Sequence, residues 1–262
     1  MAVREPFKAL VLAGSRPEID SFAAGEGVAH KALIELEGKP LLARVVEALR
    51  RAGARDILVS CDESGPVAAL ARELKTCPIA QQRGPSGSVL AAFDQAGPPL
   101  LITTADHALL QPEWITRLMM QTPAEADLSL MMAEKQLIEQ ALPGSRRTYL
   151  RFADGAWSGC NLFYLQTEKS RKAMQVWSDI DADRKRPWRI AGRLGIKTLL
   201  AYALGRLTLA QGFDQLGQRF GLNLALVPAD DGRAAIDADK PQDLADIKTL
   251  LDRDRALRRI DL

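Results

Sequence analysis

Histidine is nearly absent from this chain, cysteine is scarce, and neither positive nor negative charge is in large excess. The two histidines, His30 and His107, fall in no HxxxH or HExxH spacing, which argues against a histidine-built metal centre. Cys61, Cys77 and Cys160 are odd in number and widely spaced, with no CxxC pair. That argues against a disulfide framework and a structural zinc site, and fits a reducing, cytoplasmic setting. The apolar region 190–209 is interrupted by Arg193, Lys197 and Arg206, so it lacks the ~20 uncharged residues needed for a membrane span and reads as amphipathic helix. Few residues precede the first expected strand, too few for a secretory signal. With 35 basic and 33 acidic residues the formal charge is +2, so no global field gathers nucleic acid or an anionic membrane, and any attraction for phosphate must be local. Neither a Walker loop GxxxxGK[ST] nor a GxGxxG fingerprint occurs, and there is no internal repeat.

What is present begins with KALVLAGSRP, residues 8–17. Ala9, Leu10, Val11 and Leu12 read as a buried strand that stops at Ala13-Gly14-Ser15, where small side chains let a ligand approach the backbone. Arg16 and Lys31 add positive charge beside that bend. Exposed amides with cations nearby form a cradle for clustered anionic oxygens, hence for a nucleotide.

The rest of the first half alternates helix and strand. Helix is expected from Pro40 to a Gly53 cap, strand over 56–60, helix over 66–74, a Gly/Ser/Pro loop over 84–88, helix over 89–96, strand over 99–104, helix over 113–121 and strand over 127–132. Continuous apolar strands between helices predict an α/β, mostly parallel sheet covered on both faces, with ligands at the carboxyl ends of its strands. Gly14 and Asp106 both fall there. From residue 136 the rhythm changes: strands at 146–152 and 160–165 around Asp154-Gly155, a basic loop at 184–189, helices at 190–204 and 208–220, a strand at 222–227, and a closing strand, turn and helix in AAIDADKPQDLADIKTLL. We read one domain, with a nucleotide-binding half (1–133) and an acceptor-binding half (134–262) that carries a helical insertion at about 184–220. That helical pair is the surface from which a homodimer would be built.

Asp106 follows LLITTA, so its carboxylate projects past a buried strand into the crevice, where a hard oxygen suits Mg²⁺ held jointly by carboxylate and phosphates; an N-cap at His107 is the other reading. His107 would contact phosphate or simply pack. Leu12, Ala13, Gly14, Arg16, Lys31, Gly38, Pro40, Leu41 and Leu42 together resemble the signature of the MobA-like nucleotidyltransferases: an apolar strand, LAG, Arg, Lys, then GxPLL opening a helix. The stretch between Arg16 and Lys31 is longer here than in the commonest members.

That resemblance implies a three-layer Rossmann-like fold of GT-A type with a diverged C-terminal half. It also implies Mg²⁺ as cofactor and a reaction joining a nucleoside triphosphate to a small acceptor. By the same resemblance Asp106 binds the metal, Lys31 and Arg16 neutralise the triphosphate, and Leu12, Ala13, Gly14 and Ser15 cradle it. Arg83, Gly84, Ser86, Gly87 and Ser88 would contact base and ribose. Asp237 in AIDADKPQDL resembles a family tail that returns an Asp to the metal; Asp239 is the alternative, because Lys240 lengthens the segment. Asn161 in SGCNLFYL would bind the acceptor, or serve as a turn residue. Arg146 and Arg147, with Arg184, Lys185, Arg186 and Arg189, favour an anionic acceptor. The resemblance leaves the nucleotide as CTP or GTP. Two rivals stand beside it: a GT-A glycosyltransferase, for which TADHALL lacks the D-x-D, and a non-catalytic nucleotide-binding domain.

Overall fold

The computed structural model describes residues 6–15, 20–145, 147–182 and 195–260. Arg16, Arg146, Trp188, the basic stretch 184–189 and the start of the helix expected at 190 lie outside the described residues.

Strand β1 (Phe7–Leu12) is central, pairing in parallel with β4 (Ala54–Cys61) on one side and β6 (Leu100–Thr104) on the other. Its alternate residues feed two cores. Ala9 and Val11 join the side packed by α2 (Leu41–Arg51), α3 (Pro66–Glu73) and α5 (Pro112–Gln121). Leu10 joins the side packed by α4 (Gly84–Ala96) and α7 (Ser170–Ala182). Apolar residues on both faces explain why the strands read as unbroken hydrophobic runs. Beyond β4 lies β5 (Cys77–Ala80), and the full order is β10-β7-β9-β6-β1-β4-β5, with β7 (Leu128–Glu134), β9 (Gly155–Leu165) and β10 (Leu224–Pro228). β8 (Leu150–Phe152) pairs with β9 beside this path. Among the described residues no helix is long and apolar enough to cross a membrane.

The sheet is mostly parallel, as expected, but β9 runs antiparallel between β6 and β7. A hairpin causes this: Gly155, at φ 140°, starts β9 back along β8 right after the turn at Asp154. Other expectations need correction. The 84–88 segment is the first turn of α4 rather than a loop, because Pro85 sits at a helical start and the Ser88 hydroxyl accepts the Gln82 N–H at 2.9 Å. Of the strand expected at 146–152, the described residues form only β8. Residues 31–38 supply a 3₁₀ turn at Lys31–Leu33 and β2 (Glu35–Leu36), which pairs with β3 (Lys39–Pro40) outside the main sheet. The closing strand is instead a 3₁₀ turn at Gly232–Ala235, followed by an extended segment and a C-terminal helix (Pro241–Ile260). Short helices at Ser21–Gly25 (α1) and Lys135–Ala141 (α6) were not expected, nor was α7. The insertion supplies α8 (Ile196–Ala203) and α9 (Leu209–Phe220), the latter capped by Thr208 and Gln211. The C-terminal helix is α10.

From β1 the chain winds toward β4 and β5 on one side and reaches β6 on the other, so the strand order reverses at β1 and β6. A crevice opens outside the carboxyl ends of strands at such a point. Leu12 is in register with Thr104, so Gly14 and Asp106, two residues further along each strand, emerge at the same level.

Candidate active site

The bend after β1 begins inside the sheet ladder: the Ala13 N–H donates to the Ser60 carbonyl at 2.9 Å, and the Ala105 N–H to the Leu12 carbonyl at 3.0 Å. Gly14 and Ser15 then stand exposed. The Ser15 N–H donates to Gln81 Oε1 at 2.7 Å, and a Cβ at Gly14 would lie 2.8 Å from that same oxygen. A side chain at position 14 would push the Gln81 amide away from the bend. Gln81 precedes α4, whose start brings Arg83 and Gly84, both exposed, to the same end of the sheet. Ser86 and Ser88 are buried and Gly87 is half-buried, so the polar face offered here is chiefly backbone.

Asp106 is 6% exposed just past β6. Its Oδ2 accepts from the Lys31 ammonium, which also donates to Asp239 Oδ1 at 2.8 Å. Burial alone would lower the Lys31 pKa, but Asp106 and Asp239 outweigh it and raise the value, so the ammonium is held charged. The Ala238 N–H donates to the Asp106 carbonyl at 3.0 Å, which brings the C-terminal segment to the strand end and sets Asp237 and Asp239 on either side of that bond.

Asp237 is held differently. One oxygen meets the Arg147 guanidinium and the other accepts from Asn161 Nδ2 at 2.8 Å. Asn161 adopts φ 50°, the left-handed region that Asn tolerates best after Gly. It sits where the β7–β9 register shifts, so a bulge re-aims its amide at Asp237. His107 is 1% exposed, stacked on Trp114 with ring centroids 5.9 Å apart and within 3.3 Å of Thr103 Oγ1. Two contributors escaped the sequence reading: His30, and Arg147 as the partner of Asp237. Of these only Arg147 left a signal, its charge.

These residues fit a divalent cation. Asp106 Oδ1 is buried with no hydrogen-bond partner, an arrangement that is costly unless something else meets that oxygen. Among the described residues no group of three or more His, Cys, Asp or Glu gathers; Mg²⁺ is commonly held by one or two carboxylates with phosphates supplying the rest.

An exposed bend, a charged lysine and two carboxylates gather at the switch point of a Rossmann-like sheet. The chain belongs to the MobA-like NTP transferase domain family, whose model matches residues 9–169. A hypothetical transferase from Thermus thermophilus is 29% identical, with 92% of this chain and all of that one covered at a TM-score of 0.78. CMP:2-keto-3-deoxy-manno-octonic acid synthetase, solved with CTP, shares the fold at 16% identity and a TM-score of 0.56, over 95% of this chain and 100% of that one. The bifunctional protein GlmU of Symbiobacterium thermophilum is 30% identical over 175 residues, 62% of this chain and 36% of that protein. The chain thus spans about a third of that relative's length.

Proposed function

We propose that the protein transfers a nucleoside monophosphate from CTP or GTP to a small, phosphorylated acceptor in a Mg²⁺-dependent reaction that releases pyrophosphate. An acceptor oxygen attacks the α-phosphorus in line, the bond from that phosphorus to the bridging oxygen breaks, and the electron pair leaves with pyrophosphate. No nucleophilic side chain is needed, so positioning and charge neutralisation do the catalytic work. The Ser15 N–H and Lys31 face the triphosphate, while Arg83, Gly84 and Gly87 border base and ribose. Asp106 and Asp237 would hold the magnesium, which when bound neutralises phosphate charge. Asp239 steadies Lys31, and Asn161 and Arg147 set Asp237 on the acceptor side.

One observation carries this reading: a buried carboxylate oxygen without a partner, Asp106 Oδ1, at the mouth of the switch point beside a charged lysine. Asp106→Asn keeps the shape and removes the charge. Pyrophosphate release, followed with CTP and GTP across a panel of phosphorylated acceptors, should fall by about a thousandfold, the scale of losing one electrostatic stabiliser. The variant should keep its circular dichroism and cooperative melting. Undiminished release from Asp106→Asn would refute the metal assignment. Release by the wild type separates a transferase from a regulatory domain that only binds nucleotide.

A further inference from the structure

Lys31 opens the 3₁₀ turn at Lys31–Leu33, which the buried His30 caps by accepting the Ala32 N–H on Nδ1 at 3.0 Å. From that fixed base its ammonium meets two carboxylates delivered by distant parts of the chain. Asp106 Oδ2 accepts from it just past β6, and Asp239 Oδ1 accepts at 2.8 Å from the C-terminal return. The return is itself braced there. The Ala238 N–H donates to the Asp106 carbonyl at 3.0 Å, and the N–H groups of Asp239 and Lys240 both donate to Asp243 Oδ2 at 3.1 Å. Two acids therefore converge on one point, and a monovalent cation of the protein's own already fills it.

The Asp106 side chain is 8% exposed and that of Asp239 61%. The buried acid is the one whose charge must be answered in the empty site. Lys31 answers it through Oδ2, while Oδ1 stays without a hydrogen-bond partner. A divalent cation on Oδ1 would share one carboxylate with an ammonium, and like charges that close oppose each other strongly where water is scarce. A triphosphate removes the conflict, because its oxygens offer the ammonium new partners. Lysine suits such an exchange: a flexible four-carbon stem carries three donors that can be re-aimed.

We infer that Lys31 is a resident cation that couples metal to nucleotide: in the empty site it holds Asp106 and Asp239 and keeps magnesium alone weakly bound, and it turns to the phosphates when the triphosphate arrives, opening Asp106 to the metal. The inference rests on the nucleotide reading above and adds an order to it, in which metal and triphosphate enter together. In such a coupled pair each ligand tightens the other by the same factor.

Manganese serves as the probe, because it takes the same oxygen ligands as magnesium and its free ion is counted by electron paramagnetic resonance. In the full chain without nucleotide, Lys31→Met, which keeps a stem and drops the charge, should bind Mn²⁺ about tenfold more tightly than wild type, a usual size for coupling between sites. Lys31→Arg, which keeps the charge, should stay within about threefold of wild type. Lys31→Met combined with Asp106→Asn should lose the gain. Melting keeps the test decisive if Lys31→Met folds poorly: with Asp106 left as a lone buried charge, this variant should melt earlier than wild type in chelator and recover more than wild type when Mn²⁺ is added. Equal manganese affinity in wild type and Lys31→Met, a gain shared by Lys31→Arg, a gain that survives Asp106→Asn, or a Lys31→Met chain that Mn²⁺ does not stabilise would each overturn the inference, even with a wild type that releases pyrophosphate. A wild type that releases no pyrophosphate with any acceptor sinks the transferase reading and leaves the manganese comparison to decide on Lys31.

Discussion

Arg147 and Asp237 meet with side chains 15% exposed each, and burying such a pair is tolerable only while both partners are present. Burial pushes the Arg147 pKa down, Asp243 and Asp239 pull it back, and the guanidinium is the cation facing Asp237 from the segment before β8. Arg147→Leu leaves the Asp237 carboxylate with Asn161 alone. We expect a loss of about 3 kcal/mol in unfolding free energy, in the range for breaking a buried ion pair from one side. If Asp237 faces the metal, magnesium should then raise the melting temperature of Arg147→Leu by more than it raises that of the wild type, because the cation meets a charge the arginine had covered. Equal magnesium shifts in the two proteins would remove Asp237 from the metal set. The sequence displayed this site unevenly. Asp106 could be singled out because it sits two residues past a strand whose apolar run is unmistakable, and Lys31 because of its place in a motif that resembles a family signature. The Arg147 pairing could not be, because its partner lies 90 positions later in a segment with no periodicity of its own, and only the closed fold brings the two together.

At the scale of elements, the C-terminal return depends on close backbone packing. A Cβ on Gly232 would lie 2.2 Å from the Leu137 carbonyl oxygen and 2.6 Å from Ile138 Cα, so the 3₁₀ turn at Gly232–Ala235 rests directly on α6. Arg233 reinforces the turn, donating to both oxygens of Asp231 and of Asp254 and so tying it to α10. The turn leads straight into Asp237. Gly232→Ala should therefore cost about 1–3 kcal/mol of overpacking and also reduce pyrophosphate release, since the displaced turn carries the carboxylate with it. Gly25→Ala, where an added methyl meets nothing within 4 Å, is the control and should leave both unchanged. Denaturant midpoints and turnover of the two variants check this; wild-type behaviour of Gly232→Ala would show that the contact with α6 is slack. The same elements mark where reading from sequence stops. AAID has the composition of a strand but turns tightly because Gly232 and Asp231, which caps it through the Arg233 N–H at 2.9 Å, favour a turn more than its alanines favour a strand. The start of α4 has the composition of a loop but is helical because its serines are buried and one of them caps the preceding backbone. The antiparallel course of β9 is a property of pairing, and strand composition carries no information about direction.

Across the whole molecule, its two histidines share one electrostatic fate. Burial pushes His107 down to about 4, against the pull of Asp106 and the Ala234 carbonyl and with Arg147 lowering it further; burial also lowers His30. In the unfolded chain both rings take up protons near their ordinary value of 6.5. Between that value and about 4 the unfolded chain binds more protons than the folded one, so stability must fall as pH falls through this window and is fully present above it. At about 1.4 kcal/mol per pKa unit, His107 alone costs on the order of 3 kcal/mol by pH 4. Carboxylates in ion pairs such as Asp231 and Asp254 with Arg233 are also lost in acid, so the decline of the wild type alone does not single out a histidine. A difference between proteins does. His107→Phe keeps an aromatic ring against Trp114 and removes the titrating group, and its unfolding free energy, measured in guanidinium at steps from pH 7 to pH 4, should decline less steeply than that of the wild type below about pH 6. Parallel curves for the two proteins would mean that His107 is protonated as easily when folded as when unfolded, which a ring 1% exposed in an apolar stack should not be.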